Sequence, residues 1–81
     1  MANIEERVKS ILVELTGRDE DSILLDTRFV EDLHFTDLDF EEFTLALEEN
    51  FNIEIPEGSS AKFRTVRDAI EFLYHVVGDE Q

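Results

Sequence analysis

Three segments of the chain carry hydrophobic residues at the spacing of an amphipathic α-helix. Apolar residues that recur every three or four positions fall on one face of a helix. The first set is Ile4, Val8, Ile11, Leu12 and Leu15; the second is Phe40, Phe43, Leu47 and Phe51; the third is Val66, Ala69, Ile70, Leu73, Val76 and Val77. The pattern predicts three principal helices.

Polar residues mark where these helices begin and end. Asn3, Thr36 and Thr65 stand before the three segments, and each is a residue type that caps helix N-termini. An acidic residue follows each cap by three positions, at Glu6, Asp39 and Asp68, which is the spacing of a capping box. Gly17 and Gly78 suit the left-handed position that ends a helix, and the tail after Gly78 is expected to fray.

The segments between the helices are less regular. Residues 18–35 have no sustained period, and we expect a long loop with a short helical turn, pinned to the core by its apolar side chains: Ile23, Leu24, Leu25, Phe29, Val30 and Leu33. A further short turn is predicted within residues 57–62. The sequence therefore predicts an all-α fold, an antiparallel four-helix bundle with three principal helices, one short helix and a long first loop. Residues 1–81 form a single domain.

Charge limits the classes of partner. The chain has 7 basic and 21 acidic residues, a formal net charge of −14, and no cysteine. A chain this acidic is repelled by nucleic acid and by anionic membranes, so we predict neither as a partner. No basic residue occurs between Arg28 and Lys62, an interval that contains ten acidic residues. This concentration of charge predicts docking on basic protein surfaces, and it argues for a monomer.

The remaining sequence features concern localisation, metal binding and catalysis. The start, MANIEERVKS, has charges where a signal peptide needs an apolar segment, so we predict a cytoplasmic protein. His34 and His75 are too isolated for a metal site, and the acidic loop lacks EF-hand spacing, so no metal site is predicted. Weak binding of divalent cations to clustered carboxylates stays open. No phosphate loop or nucleophile motif occurs, and we predict that the protein is not an enzyme.

The stretch FVEDLHFTDLDFEEFTLALEENFNIEIP, residues 29–56, resembles the central segment of the acyl carrier protein family. That family carries F-x-E-D-L, then Asp-Ser-Leu at the start of its second helix, and ends the segment with E-x-x-F-x-x-x-I-P. The resemblance extends to IEERV at residues 4–8 and to RTVRDAIEFL at residues 64–73. It implies the carrier fold and a role in fatty acid or other lipid metabolism.

The resemblance places Asp37 on the serine that receives the family's phosphopantetheine arm. If a carboxylate at this position attacked the pyrophosphate of coenzyme A in place of the serine, the product would be an acyl phosphate, which hydrolyses readily. We therefore expect no cofactor in this form. Thr36 has a hydroxyl, but one residue turns a helical side chain by about 100°. His34 and Phe35 stand where the family commonly has small residues, and Glu41 stands where many members have an apolar one.

The resemblance also implies a partner-binding surface on the second helix. The positions that match docking residues of the family are Leu38, Asp39, Glu42, Leu45, Glu48 and Glu49. The leading hypothesis is an acidic, noncatalytic docking partner of acyl-handling enzymes that lacks the arm. The alternative is a genuine acyl carrier protein of fatty acid, lipid or polyketide-type biosynthesis in which position 37 has been substituted. A third hypothesis, an acidic cation buffer or an unrelated helical scaffold, fits the resemblance less well.

Overall fold

The computed structural model describes residues 3–78, which form three α-helices joined by long connections. Helix α1 spans Ile4–Thr16, α2 spans Asp37–Phe51 and α3 spans Val66–Val77. Two 3-10 turns lie in the connections, at Glu20–Ser22 and at Ser59–Lys62. The described residues contain no strand, only one isolated bridge between Arg28 and Thr65. The predicted all-helical class is confirmed. Where the sequence predicts a short turn within residues 57–62, the structure has a 3-10 turn at Ser59–Lys62, and a four-helix bundle is not confirmed.

All three predicted capping boxes form. Asn3, Thr36 and Thr65 each accept a hydrogen bond from the backbone N–H three residues later. The acidic side chain at that third position accepts one from the N–H of the cap in return. These reciprocal bonds satisfy N–H groups that a helix start otherwise leaves without a partner. Local sequence therefore fixes where each helix begins.

The core is built around Phe29, which lies in the long loop and has no exposed surface. Its ring centroid is 5.1 Å from that of Phe35, 5.6 Å from Phe40, 5.4 Å from Phe43 and 6.3 Å from Phe63. These separations lie in the range of favourable aromatic pairs. Helix α1 contacts both α2 and α3 and contributes buried side chains to the same core. The rings thus fasten the loop to α2.

Only part of the long loop is pinned as the sequence predicts. Ile23, Phe29 and Leu33 are buried, whereas Leu24 is 59% exposed and Val30 is 55% exposed. The expectation was wrong for these two residues. Each directly follows a buried residue in the irregular loop, so hydrophobicity alone does not distinguish the exposed side chain from its buried neighbour. Leu15 and Val76, which the periodicity assigned to the core, are also partly exposed.

Two further points concern the C-terminal tail and whether a helix could span a membrane. The expected fraying of the tail concerns residues 79–81, which lie outside the described range. Within residues 3–78, no helix has both the length and the apolar character that crossing a bilayer requires.

Candidate functional site at the start of helix α2

Two backbone hydrogen bonds hold the turn that precedes α2. The backbone N–H of Phe29 donates to the carbonyl of Arg64 at 3.0 Å, and the N–H of Phe35 donates to the carbonyl of Phe29 at 3.0 Å. His34 takes a left-handed conformation with φ 59°, and its side chain is exposed. Phe35 is buried, so it anchors the turn immediately before the chain emerges at Thr36.

An ion pair closes the same turn. The Asp32 carboxylate accepts the backbone N–H of Arg28 at 2.8 Å and faces the Arg28 guanidinium at 3.3 Å. The backbone hydrogen bond, followed by the side-chain bond, lowers the pKa of Asp32. The same carboxylate raises the pKa of Arg28. Because both side chains are exposed, the pair mainly sets the geometry of the turn.

The hydroxyl of Thr36 is engaged in the cap of α2. Its Oγ1 accepts the N–H of Asp39 at 3.3 Å and donates to the Asp39 carboxylate at 3.1 Å. The backbone N–H of Thr36 donates to the same carboxylate at 2.9 Å. These bonds bear out the expectation that the Thr36 oxygen serves the helix cap.

Asp37 is the first residue of α2, and its side chain is exposed. Among residues 3–78, no hydrogen bond or ion pair engages its carboxylate. A negative charge in the first turn of a helix is favoured by the helix dipole, by about 0.3–1 kcal/mol. The position offers no alcohol oxygen, and the neighbouring hydroxyl of Thr36 is held in the cap. That no phosphopantetheine arm is attached at this helix start stays a prediction.

Four of the six predicted partner-binding residues form an exposed line along α2. Leu38, Glu42, Leu45 and Glu49 follow one another at steps of four, three and four residues, which keeps them on one side of the helix. Leu38 is 61% exposed and Leu45 is 58% exposed, and both glutamates are exposed. We call these four residues the docking stripe. Their role in binding stays a prediction.

The other two predicted partner-binding residues also have internal roles. Asp39 completes the helix cap, as described above. Glu48 accepts the backbone N–H of Ile55 at 2.7 Å and so ties α2 to the segment that follows it. Periodicity gave no sign of this bond, because a contact between residues seven apart across a helix end depends on how the chain turns. A side chain used in this way is less available to a partner.

The described residues contain no group of three or more His, Asp or Glu side chains that could hold a metal ion. His34 and His75 are both exposed and belong to different parts of the chain. A small groove of about 190 Å³ lies beside the α2 start, where His34, Phe35 and Asp39 meet Leu15 and Arg18. Sequence reasoning missed this groove, because residues from α1 and from the turn line it together.

Comparison with known proteins agrees with this architecture. A family model described as a phosphopantetheine attachment site matches residues 6–73, from α1 through most of α3. The chain is 40% identical over 76 residues to an acyl carrier protein of Akkermansia muciniphila, a match that covers 94% of this chain and 95% of that protein. Phosphopantetheine is the usual prosthetic group in proteins that match this model. On both comparisons, the chain belongs to the acyl carrier protein family.

Proposed function

We propose that this protein, in the form with Asp37, docks on acyl-handling enzymes without carrying an acyl group itself. The observation that carries the proposal is the exposed Asp37 carboxylate at the start of an otherwise intact α2. The docking stripe beside it combines two exposed leucines with acidic side chains. Apolar anchors with a charged surround are suited to a partner that offers a basic surface with apolar pockets.

The charge of Asp37 gives this docking a chemical rationale. A carboxylate carries about one negative charge, as does the phosphodiester that links an arm to serine. A basic pocket that binds the phosphate of a loaded carrier would find part of that charge at Asp37. The simpler role of Asp37 is stabilisation of the helix start.

A second candidate is a working acyl carrier of fatty acid, lipid or polyketide-type biosynthesis in which position 37 has been changed from serine. The 40% identity over nearly the whole chain and the match to the attachment-site model support this candidate more directly than they support the docking role. Both candidates share the scaffold and differ only in what position 37 does. Neither makes the protein an enzyme.

A loading test shows whether the unaltered chain accepts the arm, or only a version with serine at position 37. The chain and its Asp37→Ser variant are each incubated with coenzyme A and a phosphopantetheinyl transferase of broad specificity, and their intact masses are measured. We expect only the Asp37→Ser variant to gain one phosphopantetheine group, because only it supplies an alcohol at that position. A mass gain on the unaltered chain contradicts the arm-free proposal. A Thr36→Ala variant shows whether Thr36 is the attachment point in that case.

The same reagents test docking. Unaltered chain, added in excess, should inhibit loading of the Asp37→Ser variant by competing for the transferase, and added salt should weaken the inhibition. A variant with Glu42→Lys and Glu49→Lys should inhibit several-fold less. These two glutamates are exposed, whereas reversing Glu48 would also break its bond to Ile55. Inhibition that is indifferent to both salt and charge reversal contradicts electrostatic docking.

Three further features belong to the proposal. We propose that the 3-10 turn at Ser59–Lys62 is the counterpart of a short fourth helix in the bundle. The net charge of −14 supports a monomer, since copies of the chain repel one another. A cytoplasmic location is consistent with work alongside acyl-handling enzymes.

A further inference from the structure

The small groove beside the start of α2 lies between the end of α1 and the turn that precedes α2. Its volume is about 190 Å³, and Leu15, Leu33 and Phe35 supply its apolar surface. We call it the Arg18 groove, after the arginine that lines it. Pockets for drug-sized ligands have volumes of about 300–1,000 Å³, so this groove suits a ligand of only a few carbon atoms.

Two side chains that can carry positive charge line the Arg18 groove. Arg18 and His34 are both exposed, and among residues 3–78 neither side chain takes part in a hydrogen bond or an ion pair. An arginine is always charged, and a histidine ring can donate a hydrogen bond and is positive when protonated. In a chain with a formal net charge of −14, this pair of groups makes the groove suited to an anionic group.

The backbone at His34 indicates that the imidazole is not needed to hold the turn. Its φ of 59° lies in the left-handed region, which glycine adopts at lower cost than histidine. The N–H of His34 donates to the carbonyl of Val30 at 3.1 Å, and the N–H of Phe35 donates to the carbonyl of Phe29 at 3.0 Å. Neither bond uses the imidazole. An exposed side chain kept at a costly backbone angle points to contact with a ligand.

Other polar groups that line the groove already have partners within the fold. The Asp39 carboxylate accepts the backbone N–H of Thr36 at 2.9 Å and its hydroxyl at 3.1 Å. The Thr16 hydroxyl donates to the carbonyl of Leu12 at 2.7 Å. Because these groups are used in the helix cap and in α1, the two basic side chains determine which charge the groove accepts.

We propose that the Arg18 groove binds a small carboxylate with a short alkyl chain, of the size of butyrate. The carboxylate lies at Arg18 and His34, and the alkyl chain packs on Leu15, Leu33 and Phe35. Leu15 is 37% exposed, so covering it removes apolar surface from water. The site uses neither the docking stripe nor position 37, and it is therefore a binding function separate from the proposed docking.

Titration of the ¹⁵N-labelled chain at constant pH and ionic strength tests the site. Sodium butyrate is the probe. Acetate keeps the charge with two fewer methylene groups, n-butanol keeps the alkyl chain without charge, and n-butylammonium reverses the charge. We expect saturable shifts of the Arg18, His34 and Phe35 amides, with butyrate bound at least about fivefold more tightly than acetate. That ratio corresponds to burial of one or two methylene groups. The alcohol and the ammonium ion should bind several-fold more weakly than butyrate.

Three single substitutions assign the contacts. Arg18→Gln should raise the Kd for butyrate about two- to fivefold, as expected for one exposed charge pair. His34→Gly should weaken binding to a similar extent while keeping or raising Tm, because glycine relieves the positive φ. A lower Tm would assign His34 to the turn and count against its contact with the ligand. Arg64→Gln removes an exposed arginine outside the groove and should leave the Kd within about twofold.

Three results overturn the proposal. The first is shifts that do not saturate, with Arg64→Gln as damaging as Arg18→Gln, which indicates general attraction of anions to basic side chains. The second is equal affinity for butyrate and acetate, which means that the apolar surface is not used. The third is n-butylammonium bound as tightly as butyrate, which means that acidic groups such as Asp39 govern binding. Because no acyl-handling enzyme is present in these titrations, each result leaves the docking function to its own test.

Discussion

Removing the Thr36 side chain should weaken the start of α2 by a predictable amount. Thr36→Ala eliminates two bonds: the one its Oγ1 accepts from the Asp39 N–H at 3.3 Å, and the one it donates to the Asp39 carboxylate at 3.1 Å. It keeps the 2.9 Å bond from its own backbone N–H to that carboxylate. Half of the capping box therefore survives.

The expected magnitude follows from that count. Loss of a threonine cap costs about 0.5–2 kcal/mol, and the long 3.3 Å bond together with the exposed position places Thr36→Ala near the lower end, at about 0.5–1 kcal/mol. For a domain of this size, 1 kcal/mol corresponds to about 4–8 °C in Tm. We therefore expect a decrease of roughly 2–8 °C, measured by thermal and urea unfolding followed by circular dichroism at the helix band.

Two variants show whether the cap is the cause. Thr36→Ser keeps the oxygen and should stay close to the unaltered chain. Asp39→Ala removes the other half of the box, and its effect combined with Thr36→Ala should be less than additive because the two residues share one bond. If Thr36→Ala leaves stability unchanged, or if Thr36→Ser is as destabilising, the hydroxyl is not held by the cap. The Thr36 hydroxyl would then not be withheld from attachment by the cap.

Three other expectations concern the segments on either side of α2. Phe29→Ala should lower the free energy of unfolding by about 3–5 kcal/mol in urea titrations, because Phe29 is buried. Val30→Ala next to it should change that free energy by less than about 0.5 kcal/mol, because Val30 is exposed. Equal effects of the two substitutions would contradict the core assignment. Asp32 has a lowered pKa in the folded chain, so its stabilisation is complete well above about pH 3.9 and is lost as pH falls through the lower folded value. Urea titrations at a series of pH values should therefore show a flatter acid dependence for Asp32→Asn, and an unchanged slope would count against the bond. Glu48→Ala should cost about 1–2 kcal/mol and speed hydrogen exchange of the Ile55 amide, since that N–H loses its acceptor; unchanged exchange at that amide would show that the bond does not form in solution.

The start of α2 lies where the sequence predicts it. Thr36 and Asp39 specify a capping box through contacts only three residues apart, and this local chemistry alone sets residue 37 at the first position of α2. The motif resemblance then assigned that position its family role. No tertiary information was needed, because both the cap and the motif are contiguous in the chain.

Periodicity could not predict which side chains are exposed in the irregular segments. Leu24 and Val30 are as hydrophobic as their buried neighbours, yet the path of the loop turns them outward. The Glu48 bond to Ile55 likewise depends on how the chain reverses after α2. Neither feature has a repeating spacing that a sequence could display.

The sequence by itself determined the helix starts, the acidic character of α2 and the missing alcohol at position 37, because each depends on residue identity or on contacts within one helical turn. Tertiary structure alone decided that Phe29 gathers the aromatic core and that the Glu48 carboxylate meets the backbone N–H of Ile55. Those features bring together residues from separate segments. Their positions follow from burying the whole apolar surface at once, which no local stretch of chain can specify.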